Sequence, residues 1–148
     1  MFFIYTSIIF AILFLVILTL LHFLKPELQP HWRMISEYEI GRFGWLMQAA
    51  FFCWALSVFA LLMIIWPALT SIGGIIGRWW FALIVVALIG AGIFKTNAIT
   101  DDSTNLANTL HALCGAIVIL TFPIAATLVE KSLLQHTAWI TTHAQLTI

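Results

Sequence analysis

The side chains able to do chemistry concentrate in two short stretches. PHWRMISEYE, residues 30–39, carries Arg33, Ser36, Glu37 and Glu39, and KTNAITDDSTNLANTLHAL, residues 95–113, carries Asp101, Asp102, Asn108 and His111. On a helix, Thr104, Asn108, His111 and Gly115 recur at intervals that share one face, so His111 points the same way as Asn108. An imidazole set about two turns into an apolar segment is costly unless it pairs or faces a polar cavity. Glu37 is the carboxylate we assign to it. Asp101 and Asp102 precede the segment and favour its N-terminal end through the helix dipole, with Ser103 or Thr104 as the cap. Arg33 adds a cation, and the candidate ligand-binding set is Arg33, Glu37, Asp101, Asp102, Asn108 and His111.

Three uses of this set stay open. A His111–carboxylate pair, or a His111–backbone bond, ties the fourth apolar segment to the first loop and needs no ligand. A polar pocket binds a lipid headgroup, a small molecule or an ion. In the third use, His22 and His111 offer two imidazoles to a haem, although no motif calls for a cofactor. Zinc is disfavoured because His31, His111 and the acids lack HExxH or CxxC spacing. Ser36, His111 and Glu37 have the letters of a triad, but Ser36 has no GxSxG context and Glu37 is its direct neighbour, so no catalytic residue is assigned. Gly73, Gly74 and Gly77 follow no strand, which argues against a phosphate cradle. His136 and His143 fall on the tail, where solvation is expected.

The elements that must position these groups are apolar. The 148-residue chain is 63% hydrophobic and only 8% charged, against roughly 25% charged for a soluble domain; most of it is built for lipid. Net charge is zero and the six basic residues lie singly, which excludes a nucleic-acid surface. Cys53 and Cys114 read as small packing residues. MFFIYTS has no positive n-region, so no cleavable signal peptide is expected. Continuous apolar runs over about 2–24, 45–66, 75–94 and 105–129 have membrane-crossing length, and runs without alternation specify helices. The prediction is an all-α integral membrane four-helix bundle. It has one transmembrane domain, 1–131, and a short polar tail, 132–148. The first loop has room for a short interfacial helix capped by Ser36, and SIGGIIG reads as a turn. Trp32, Tyr38, Trp45, Trp66, Trp79 and Trp80 fall near span ends, as an aromatic belt requires. Ala49, Cys53, Ser57 and Ala60 form a small-residue face on the second span, and Ala112, Cys114, Gly115 and Ala116 mark the fourth; we expect the two faces to meet. No internal repeat supports an inverted-repeat transporter.

The ISEY segment (Ile35–Tyr38), the GRFGWLM entry (Gly41–Met47), GIF (Gly92–Phe94), the acidic loop at Asp101 and Asp102, TLHAL (Thr109–Leu113) and FPIAA (Phe122–Ala126) occur in this order. Together they resemble domain-of-unknown-function family 998, a prokaryotic family of multi-pass membrane proteins, over about residues 2–131. Where relatives carry a proline and an aspartate after GIF, this chain has Lys95 and Thr96, and relatives carry further spans after the fourth. The resemblance implies the fold and a polar face, not a reaction.

The expected protein is therefore a non-catalytic integral membrane protein, a small accessory or scaffold subunit of a larger membrane complex. Its partners are membrane lipid and other integral membrane subunits. The alternative is a membrane-embedded binding protein or enzyme that uses the Glu/His pocket for a lipid headgroup, ion or haem. Basic residues number four on the side of the first and third connections and two on the other, which by count puts the first side in the cytoplasm. The resemblance implies the reverse, and we adopt it: a prokaryotic inner or plasma membrane, with both termini cytoplasmic.

Overall fold

The structure is a computed structural model and describes residues 1–103, 105–136 and 139–140. Four long helices carry the chain: α1 (Phe2–Leu24), α2 (Gly44–Ile65), α3 (Ile72–Ile93) and α4 (Leu106–Leu133). All four are long and apolar enough to cross a membrane, at roughly 33–42 Å each from a rise of ~1.5 Å per residue. There is no strand among the described residues. A short 3₁₀ helix, Ile35–Glu39, occupies the first connection where an interfacial helix was expected. It starts after Met34 and takes Ser36 into its body, so Ser36 is not the cap. Instead Glu37 turns back to accept the Met34 N–H at 3.4 Å.

The helices pack in chain order, α1 on α2, α2 on α3 and α3 on α4. No comparable packing joins α1 to α4 or α2 to α4. The two small-residue faces expected to meet therefore do not. The physical reason lies in α3, which stands between them and supplies the close approaches. SIGGIIG is not a turn but the start of α3, where Ser71 caps the helix by accepting the Gly74 N–H at 3.1 Å. A Cβ on Gly77 would sit 2.9 Å from Val129 Cγ2, and one on Gly90 would sit 2.6 Å from Cys114 Sγ, both on α4. On its other side, Gly92 packs on Phe51 and Phe52 of α2. The small face of α2 meets α1 instead, where the Ser57 hydroxyl donates to the Ser7 carbonyl at 2.9 Å.

Without side chains at these positions, backbones approach and dispersion replaces the missing hydrophobic drive. Gly77→Leu should thus cost roughly 1–3 kcal/mol by overpacking, read as a lower thermal midpoint in detergent. An unchanged midpoint would mean that α3 and α4 are not this close.

The core is drawn mainly from α2 and α3, with Met47, Ala50, Leu62, Ile84 and Leu88 sealed from any outer surface, and α4 adds Val118, Ala125, Val129 and Leu133. Leu21 is the sole buried residue of α1. Trp45 and Trp79 are exposed, as a belt requires, and Trp66 meets Trp79 edge-on at 5.6 Å. Tyr38 is not part of the belt: it is 3% exposed and packs in the core.

Candidate interfacial cleft at Glu39

The first connection is held by a buried cation. Lys25, just past α1, is buried and donates from Nζ to the Tyr38 carbonyl at 3.1 Å and also to the Ile40 carbonyl. Burial pushes its ammonium below the usual lysine range. These bonds draw the 3₁₀ helix against the membrane end of α1. The chain then turns through Gly41 and Phe43, at φ 71° and 66°. A left-handed phenylalanine at the start of a helix is strained, and such strain clusters near functional sites. At Gly44 the turn presses α2 against the 3₁₀ helix so closely that an added Cβ would overlap the Glu39 carbonyl, with the carbonyl carbon at 2.7 Å.

The third connection is organised by asparagines. Asn105 caps α4 by accepting the Asn108 N–H at 2.8 Å, and its side-chain amide donates to Asn97 Oδ1 at 3.2 Å. Asn108 Oδ1 in turn accepts the Asn97 N–H at 2.9 Å. The cap is thus Asn105 and not Ser103, while Thr104 lies outside the described residues. The physical reason is reach: the Asn105 side chain sits at the residue whose carbonyl already begins the helix.

These two connections bring Glu39, not Glu37, to His111. Glu39 Oε2 lies 3.5 Å from His111 Nδ1 and accepts the Thr96 N–H at 3.3 Å. Glu37 is taken by Arg33 four residues earlier, Nη1 to Oε2 at 2.6 Å. His111 Nδ1 lies 2.6 Å from the Phe94 carbonyl; since that oxygen only accepts, Nδ1 carries the proton. The imidazole therefore closes the carbonyl end of α3 and ties it to α4, whereas the backbone bond expected of it was to the first loop.

The other expected site residues scatter. Asn108 braces the loop beside Glu39. Asp101 and Asp102 are exposed and outside the site. Asp101 is spent on the Ser103 N–H at 2.9 Å, which holds its carboxyl below the usual range. Arg33 stacks on Trp32 at 4.3 Å. The two imidazoles proposed for haem do not face each other across a helix pair, because α1 and α4 are not packed together. His22 bonds its own Leu18 carbonyl at 2.7 Å and leans on Tyr38. Among the described residues no group of three or more His, Cys, Asp or Glu is placed to hold a metal ion. On the tail, His136 is exposed but bonds the Ala68 carbonyl at 2.7 Å; His143 lies outside the described residues.

Beside Glu39 a half-open cleft of about 550 Å³ is lined by Gly44, Trp45, Gln48, Lys95, Thr96 and Asn97, with Glu39, Ile40 and Gly41. That volume is in the range of small-ligand sites. The Glu39 carboxyl is 1% exposed, and among the described residues its Oε1 has no hydrogen-bond partner. Burial pushes its pKa up to about 7, against the opposing pull of the Thr96 N–H and the Lys95 charge. Among the described residues no hydrogen bond or ion pair engages the Gln48 amide or the Lys95 ammonium. Sequence reasoning counted Glu39 among the polar groups of the first connection but left it out of the site, and gave Gln48 and Lys95 no part in it. One signal was available for the first: the four-residue step from Arg33 to Glu37 pairs those two and leaves Glu39 over.

A family model described as "Protein of unknown function (DUF998)" matches residues 8–146. No curated protein and no solved structure matches the chain.

Proposed function

The chain belongs to the DUF998 family of proteins of unknown function, and from that premise we propose that it is a membrane-embedded binding protein whose cleft at Glu39 takes the polar head of an amphiphile or a small polar molecule. A single observation carries this. Glu39, Gln48 and Lys95 line one cleft at the end of an apolar helix bundle, and among the described residues the buried Glu39 Oε1 has no hydrogen-bond partner and neither the half-buried Gln48 amide nor the exposed Lys95 ammonium is engaged. Buried polar groups are nearly always satisfied, so an orphaned carboxyl oxygen at a cleft points to a ligand. No nucleophile and base are joined there, and binding without turnover fits the groups present.

Native mass spectrometry of protein taken gently from its own membranes tests the reading. Wild type should retain a low-mass ligand that both Glu39→Gln and Lys95→Gln lose. Identical adducts on all three proteins would defeat it.

A second reading, that of an accessory or scaffold subunit, is favoured by α1. That helix exposes Ile8, Ile9, Ile12, Leu15, Val16 and Leu20, and of the other long helices it packs closely only on α2 among the described residues. A span of another membrane protein lying along it would co-migrate with the chain in mild detergent. In either reading we place the Glu39 end away from the cytoplasm of a prokaryotic cell, with the ends of the chain inside.

A further inference from the structure

We propose that the group held in the cleft is a zwitterion carrying a primary ammonium and a phosphate, the head of an aminophospholipid or its free phosphoethanolamine counterpart, with the ammonium on Glu39 and Gln48 and the phosphate on Lys95 and the start of α2. This rests on the reading of the cleft as a binding site and specifies what it binds.

The cleft carries both signs of charge. Glu39 and Lys95 both line it, yet no ion pair joins them among the described residues. An anion alone leaves the carboxylate unmatched, and a cation alone leaves the ammonium unmatched; a dipolar head meets both. At the negative pole the buried Glu39 Oε1 has no partner among the described residues, and Gln48, which also lines the cleft, adds an amide oxygen. Such oxygens suit N–H donors, of which a primary ammonium has three. A quaternary ammonium has none and is bound by aromatic cages; among the described residues Trp45 is the one aromatic residue lining this cleft.

At the positive pole α2 begins without a side-chain cap, because Phe43 occupies the cap position. Gly44 and Trp45, its first residues, both line the cleft. The Gly44 and Leu46 N–H groups are taken by the Gly41 and Phe43 carbonyls at 3.2 and 2.9 Å; among the described residues that leaves the Trp45 N–H and the helix dipole for phosphate oxygens, and Lys95 supplies the full charge beside it. The orphaned Glu39 oxygen, independent of the helix end, ties the two poles to one ligand.

Binding should also track the ionisation of Glu39, since an ammonium favours the carboxylate. The ionisable groups around Glu39 are Lys95 on the third connection and His111 on α4, with Lys25 held on the adjacent Ile40 carbonyl; α2 has no Asp, Glu, Lys, Arg or His.

The test is calorimetric titration of the full chain in an uncharged maltoside detergent with dihexanoyl phosphatidylethanolamine, phosphatidylcholine and phosphatidylglycerol, and with free phosphoethanolamine. The ethanolamine lipid should bind at least about tenfold more tightly than the other two, as expected for a charge-assisted hydrogen bond. Its affinity should climb severalfold between about pH 6 and 8 as Glu39 ionises. Glu39→Gln should erase the preference, and Gln48→Leu, a substitution on the rim, should reduce it. Lys95→Gln should weaken all the phospholipids. Free phosphoethanolamine binding as tightly as the lipid makes the ligand a soluble head; much weaker binding makes it the lipid. Choline or glycerol lipid binding as well as ethanolamine lipid, still sensitive to Glu39→Gln, would overturn this inference and leave the cleft as a binding site. No titrant sensitive to Glu39→Gln would overturn both.

Discussion

Replacing Glu39 by glutamine raises the thermal midpoint of the empty protein at about pH 8 and leaves it nearly unchanged below about pH 4.5. In the unfolded chain this carboxyl titrates near the ordinary 4.5, whereas in the folded protein it titrates at about 7. The folded state thus holds the proton more tightly. Its contribution is most favourable below the unfolded value, falls as pH rises between the two, and above the folded value is a standing penalty. A displacement of this size corresponds to roughly 3 kcal/mol. Glutamine removes the charge and keeps an oxygen for the Thr96 N–H, so the penalty disappears at high pH. Most substitutions of buried polar residues destabilise; one that stabilises while abolishing binding marks a side chain kept for a purpose other than folding. A lower midpoint for Glu39→Gln at about pH 8 would instead make Glu39 the structural partner of His111 or Lys95, and the case for a ligand would lose its main support.

Gly44→Ala should produce the largest loss of stability of any single-methyl addition considered. The new Cβ would run into the Glu39 carbonyl, which is backbone and cannot rotate aside. Either α2 tilts off the 3₁₀ helix or the turn at Gly41 and Phe43 opens. Both disturb the Lys25 bonds to Tyr38 and Ile40, and the cost should reach about 3 kcal/mol or more. Gly115→Ala is the matched control. It is also helical, its added Cβ meets nothing within 4 Å, and a gain of roughly 0.5–1 kcal/mol is expected from propensity alone. Thermal unfolding of both variants in one detergent checks the contrast. Equal midpoints would show that the seat of Glu39 over α2 is not as tight as described.

How far the site could be read in advance differs from residue to residue. His111 stood out because an imidazole inside an apolar helix has few inexpensive options, and it does make a buried bond. Its neighbour was misassigned because Glu37 and Glu39 are two residues apart, and on a loop of unspecified shape either can face inward. A 3₁₀ helix with about three residues per turn, wound with Glu37 already on Arg33, decides for Glu39. Asp101 and Asp102 drew notice as adjacent charges in an uncharged chain, but charge next to a loop is satisfied by water and by its own backbone. Lys95 and Gln48 carry no pattern at all. They matter only because α3 ends where α2 begins.

The amino-acid sequence by itself determined that this is an all-helical chain with four membrane-length apolar helices and that five of its six acidic residues fall in the first and third connections. Hydrocarbon admits no unpaired backbone, so long apolar runs become helices whatever their neighbours, and the connections between them must hold what charge there is. Tertiary structure alone decided which helix stands between which. Glycine contacts are read between backbones in space, and the same small residues on α2 and α4 are compatible with several packings until α3 is inserted between them. It also decided which acid is stranded beside the imidazole, because a carboxyl group is orphaned by what the surrounding chain fails to offer it.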